Sequence, residues 1–164
     1  MDDCALGRKL GYDTAWLLGH HFSDYCPTPS PLVFMAHIAA AYPDLSLGTS
    51  VLVLPCYHPL RLAGGIAKLN SMTQGTLHLS IGRGTAKMEH GAYNVDMNEV
   101  RVCFAECYRI VEKRRTGEAF THDGRLLRFA VCTLRVRRQP VGKNSRVPRF
   151  QPHVRQSAQA HRPG

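Results

Sequence analysis

Residues 45–81 read LSLGTSVLVLPCYHPLRLAGGIAKLNSMTQGTLHLSI, and the order of patterns within them decides the fold. Leu45 to Leu54 is an apolar, β-branched run that Pro55 closes. Such a run without polar alternation fits a strand covered on its faces. His58 to Met72 then changes to helical spacing. Gly64 and Gly65 inside it weaken that helix by about 1 kcal/mol each relative to alanine. Leu77 to Ile81 is a second apolar strand, followed at once by Gly82-Arg83-Gly84. Two apolar strands joined by one helix predict a parallel pair with a crossover.

The same alternation extends outward. Met1 to Leu10 reads as the end of a helix, with Gly11 placed to cap it. Thr14 to Leu18 is a short candidate strand, and Ser30 to Tyr42 a helix with Pro31 in its first turn. Toward the C-terminus, Asp96 to Arg115 is the longest expected helix, with Val100, Phe104, Cys107 and Val111 on one stripe. Phe120 to Phe129 holds Asp123-Gly124 between apolar arms, a hairpin signal. The fold class is therefore α/β, with three parallel strands and crossover helices, and Val131 to Val136 as a candidate fourth strand. Periodicity does not choose between an open doubly wound sheet and a barrel. The dinucleotide fingerprint G-x-G-x-x-G does not follow the first strand.

Charge divides the chain at about residue 130. Residues 1–130 carry 13 Lys and Arg against 12 acidic residues, whereas residues 131–164 carry 8 Lys and Arg and no acid. The basicity thus belongs to a tail and not to a folded face, which argues against a nucleic-acid surface. Three readings stand for residues 131–164. They form a disordered basic tail, a nucleic-acid arm with only Phe150 for base stacking, or a segment translated out of frame. No stretch has the roughly 18 apolar residues of a membrane span. The first ten residues lack the pattern of a signal peptide, so a cytoplasmic location is the default expectation. The six cysteines form no C-x-x-C pair, and Cys103 and Cys107, four apart on one helix face, make a poor zinc site. No metal site is expected.

The polar motifs fall where strands end. His20 and His21 follow the first strand, and Arg83 stands between glycines after the third. The C-terminal ends of parallel strands are where sites are built. An arginine fork beside glycine backbone suits an anionic ligand. Each motif alone is weak, because a histidine pair is more often structural and a Gly-Arg-Gly segment is more often only a turn.

Together and in order, these elements resemble the bacterial luciferase family of flavin monooxygenases. The residues that carry the resemblance are Gly11-Tyr12-Asp13-Thr14-Ala15-Trp16, His20-His21-Phe22 and Leu45-Ser46-Leu47-Gly48-Thr49. Val53-Leu54-Pro55, His58-Pro59-Leu60-Arg61, Gly82-Arg83-Gly84 and Tyr93-Asn94-Val95-Asp96-Met97 continue it. It runs from about Leu6 to Phe129. The resemblance implies the first half of a TIM (β/α)₈ barrel that binds reduced FMN, or alternatively a deazaflavin, and uses O₂ to oxidise a small organic substrate. It implies that His20 is the functional histidine beside the flavin and that Arg83 contacts its phosphate. It also implies that Ser50-Val51 is a cis peptide behind the ring. A homo- or heterodimer stays open, as do a deazaflavin-dependent oxidoreductase and a flavin-binding fragment without turnover.

The sequence departs from the family pattern at several positions. Gly19 stands where a glutamate is usual, Gly64 and Gly65 near expected acids, and Asn70 at an aspartate. Thr76 replaces an arginine and Ser80 a glycine. The family's first strand and its strands five to eight have no counterpart here. The chain is therefore expected to be a truncated form that is inactive alone.

Overall fold

The computed structural model describes residues 1–26, 28–115 and 118–132. The readings made for residues 133–164 lie outside the described residues. The described chain opens with helix α1 (Asp2–Lys9), strand β1 (Thr14–Leu17) and helix α2 (Pro31–Ala41). Strand β2 (Ser46–Val53) runs into a 3₁₀ turn at Leu54–Cys56, followed by helix α3 (Pro59–Asn70) and strand β3 (Leu77–Gly82). Helices α4 (Lys87–Ala92) and α5 (Val100–Arg115) precede the hairpin strands β4 (Phe120–Asp123) and β5 (Arg128–Cys132).

Strands β1, β2 and β3 form one parallel sheet in that spatial order. Each crossover contains a helix, as the alternation predicts. Of the candidate fourth strand, Val131 to Val136, only residues 131 and 132 are among the described residues. Residues 131 and 132 end β5, which pairs antiparallel with β4 in a separate two-stranded sheet. Among the described residues, β1 and β3 therefore each have one bonded edge.

The local chemistry explains the boundaries. Gly11 takes φ +88, and the Gly11 and Tyr12 N–H groups donate to Arg8 O and Gly7 O. This double bond pattern closes α1 through a left-handed glycine. Pro31 occupies the first turn of α2, where its missing N–H costs nothing. The longest helix begins at Val100 and not at Asp96. Asp96 instead accepts from Asn98 N–H through its side chain (2.8 Å) and from Glu99 N–H through its carbonyl (3.0 Å), which makes a turn.

One face of the sheet packs under helices. Leu47 and Leu77, paired across β2 and β3, and Leu17, two residues beyond their row on β1, meet Met35 and Ile38 of α2 and Leu69 of α3. Nearer the C-terminal ends, Leu52 and Leu54 pack with Leu62 of α3 and Cys107 of α5. The opposite face is open among the described residues. There Trp16, Gly48 and His78 lie in one register row. The Trp16 ring lies over Gly48 and stacks on His78 at 5.6 Å between centroids. Trp16 remains 50% exposed.

The two helix glycines differ. A Cβ on Gly65 would come within 3.2 Å of Leu32 Cδ1, so this glycine lets α2 approach α3. Gly64 has open space around its missing Cβ. Gly64→Ala is expected to stabilise the chain by about 0.5–1 kcal/mol, read as a raised denaturation midpoint.

Candidate functional site

The segment after β1 brings His20 and His21 to the C-terminal end of the sheet. Phe22 adopts φ +59, a region non-glycine residues seldom enter, and so turns the chain sharply after the histidine pair. His20 Nδ1 lies 3.1 Å from Glu89 Oε1, and His21 N–H donates to the same oxygen at 2.8 Å. Glu89 sits on α4 and is 3% exposed. Aromatic rings line the pair. Tyr25 meets the His20 ring edge-on at 5.1 Å, and Tyr93 meets His21 in the same way at 5.1 Å.

Arg83 leaves the end of β3 in the Gly82-Arg83-Gly84 turn. Gly84 has φ +74, and a Cβ there would lie 2.6 Å from Val53 Cγ1 and 2.7 Å from His90 Cε1. Only glycine fits this conformation and this space. The fully buried His90 holds the turn from below. Its Nε2 is 3.0 Å from Arg83 O, and its Nδ1 is 2.9 Å from Ala86 O at the start of α4. The Arg83 side chain is exposed, and among the described residues no carboxylate pairs with its guanidinium.

Ser50-Val51 is a cis peptide. It lies where the pairing of β2 with β3 changes register, between Thr49 and Leu52. Val51 is partly exposed, and its Cγ2 would meet a Cβ on Gly82 at 2.9 Å. The glycine thus lets the arginine turn come close to the cis segment.

Burial, then the neighbouring Tyr93 and Cys56, with Glu89 after them, push the Tyr57 hydroxyl up to about 12. Burial, then Glu89 and Cys103, push the Cys56 thiol up to about 11. Behind them on α5, a hydrogen bond with Cys107 holds the Cys103 thiol down to about 7.

All four residues expected at the site lie at the same end of the sheet. Val51 meets the arginine turn at Gly82, and α4 connects that turn to His20 through the adjacent residues His90 and Glu89. No hydrogen bond among the described residues joins His20 directly to Arg83. Sequence reading missed Glu89 and His90. The available signal was that Glu89 is the only acidic residue between Asp44 and Asp96. Gly19, where a glutamate was expected, packs against the Pro31 ring, with its missing Cβ 3.1 Å from Pro31 Cδ. Among the described residues no group of three His, Cys, Asp or Glu is placed to hold a metal ion, and no helix is long and apolar enough to cross a membrane.

Comparison with known proteins assigns the family. The luciferase-like monooxygenase family model matches residues 6–159, and the chain belongs to that family. The alkanal monooxygenase alpha chain of Photorhabdus luminescens is 31% identical over 125 residues, which cover 76% of this chain and 34% of that one. The solved monooxygenase RslO1 from Streptomyces bottropensis superposes with a TM-score of 0.70 at 31% identity, covering 76% of this chain and 38% of its own. The oxygenating constituent of 3,6-diketocamphane monooxygenase from Pseudomonas putida, solved in complex with FMN, gives a TM-score of 0.73 at 22% identity, a likeness of fold. It covers 79% of this chain and 36% of that structure. The chain thus spans between 34% and 39% of the length of the first curated relatives it matches.

Proposed function

We propose that this chain supplies three early, flavin-facing strands of a (β/α)₈ barrel that acts as an FMN-dependent monooxygenase on a small organic substrate. One observation carries the reading: a single short helix, α4, holds both the unpaired Arg83 turn and the histidine pair. The FMN complex of a structure with the same fold supports the choice of ligand. The residues fit the group. An exposed arginine fork beside two close glycines suits a terminal phosphate, and the partly exposed Val51 offers an apolar surface beside it. Bound reduced flavin would supply the electrons that activate O₂. Arg83 would hold the phosphate, the Ser50-Val51 segment would offer an apolar surface to the flavin, and His20 would hold or move a proton at its ring nitrogen. A closed barrel requires further strands, because among the described residues β1 and β3 each present an unpaired edge.

The test is a titration of the chain with FMN, riboflavin and a deazaflavin, followed by flavin absorbance and fluorescence. Arg83→Ala is expected to weaken FMN binding by about 1.5–3 kcal/mol, the range for hydrogen bonds to charged groups, or roughly 10- to 150-fold. Riboflavin, which lacks the phosphate, should bind the variant and the parent alike. Equal losses for both ligands would place Arg83 in the fold and not in phosphate recognition. Tighter binding of the deazaflavin than of FMN would move the assignment to that cofactor.

A further inference from the structure

We propose that Glu89 is a positioning residue that fixes the proton of the neutral His20 ring on Nδ1 and leaves Nε2 as its basic nitrogen. This rests on the reading of His20 as the proton-handling group of a flavin site. The geometry assigns the proton. Glu89 Oε1 accepts the His21 backbone N–H at 2.8 Å, and a backbone amide only donates. An oxygen that accepts this bond is poorly suited to carry a proton of its own. The contact of the same oxygen with His20 Nδ1 at 3.1 Å is therefore a bond donated by Nδ1–H. A carboxylate oxygen has lone pairs for both.

The pair also has a direction. The Glu89 side chain is 4% exposed and the His20 side chain 32%. The anchor lies inside, and the ring reaches outward from it. The bond to the His21 N–H fixes the carboxylate independently of the ring, and the edge of Tyr25 packs against the imidazole. Free neutral histidine favours the opposite tautomer, with its proton on Nε2. Glu89 thus works against the intrinsic preference, as a carboxylate does when it sets a catalytic or metal-bound imidazole. The sequence offers no competing carboxylate between Asp44 and Asp96.

The experiment reads the tautomer directly on the ligand-free chain. Long-range ¹H–¹⁵N spectra in alkaline buffer, by solution or magic-angle-spinning NMR, show which nitrogen of His20 is protonated. In the parent chain the Nδ1–H form should dominate. Glu89→Gln keeps a carbonyl oxygen and should retain that form. Glu89→Met, similar in size but without the acceptor, should invert the ratio toward Nε2–H. Tyr25→Leu should leave the ratio unchanged. A parent His20 protonated on Nε2 overturns the proposal, and so does a folded Glu89→Met chain that keeps Nδ1–H. If the methionine variant does not fold, the parent and glutamine chains still decide. FMN titration of the same samples separates the two claims. The Nδ1–H form without FMN binding removes the flavin reading and leaves the His20–Glu89 pair intact, and FMN binding with Nε2–H does the reverse.

Discussion

Glu106→Ala should release the β4–β5 hairpin from α5 and lower stability by about 3 kcal/mol or more. Glu106 is 5% exposed, and its two oxygens accept the backbone N–H groups of Arg125, Leu126 and Leu127 at 2.7–3.2 Å. Hydrogen bonds to a charged group contribute about 1.5–3 kcal/mol each, and alanine would remove the shared acceptor of three backbone donors. The loop is built around this carboxylate. A Cβ on Gly124 would lie 2.5 Å from both Glu106 Oε2 and His122 Nε2. Burial by itself would raise the Glu106 carboxyl. The three backbone N–H bonds and the nearby His122 outweigh it and hold the group below its usual range. A folded value below the unfolded one, about 4.3, means that this stabilisation is complete above that pH. It is lost as pH falls from there through the lowered folded value. Amide-exchange protection of Arg125–Leu127 should drop over that acid range in the parent chain. Glu106→Gln, which cannot titrate, should show a flatter profile. Unchanged protection in the alanine variant would show that the hairpin is held by other contacts.

Gly84→Ala should be the most damaging single-methyl change at the candidate site. The residue would need φ +74, and its methyl would press on Val53 and on His90. The left-handed conformation costs about 1–2 kcal/mol for an L-residue, and overpacking adds about 1–3 kcal/mol. Expected losses are therefore about 2–5 kcal/mol in denaturant titration. The His90 bond to the Arg83 carbonyl should loosen in the same variant, so FMN affinity should fall even where the chain stays folded. Gly64→Ala, with free space around it, serves as the opposite control. Equal stability of the two alanine variants would contradict the crowding at Gly84.

The parts of the fold that are written locally were legible in the sequence. The apolar run 45–54, the helix after Pro59 and the strand before Gly82-Arg83-Gly84 all appear where their patterns place them. Gly11 and Pro31 mark the ends of helices because backbone conformation at those positions depends on the residue itself. The cis peptide at Ser50-Val51 followed from family resemblance, since nothing in the local residue types requires it. Helix α4 was not foreseen. Its six residues, KMEHGA, contain a glycine and are too short to show a helical period. Its role at the site depends on contacts from Glu89 to residues 68 and 69 positions earlier. The helix expected from Asp96 began four residues too early, because Asp96 favours a turn through its own side chain. Similarly, Asp123-Gly124 marked a hairpin, but its loop is longer than that dipeptide implies. Glu106, from the preceding helix, takes the N–H groups that would otherwise have continued the ladder.

The stacked row on the open face of the sheet has an optical consequence. Trp16 is the sole tryptophan of the 164 residues, so all indole emission from this chain originates there. Half in water and resting on His78, the indole emits from a wet environment that dries only when something covers the sheet. Further strands, another chain or a flavin seated above the row would each alter its colour or intensity. The molecule therefore carries a single built-in lamp on the surface that a closed barrel would hide.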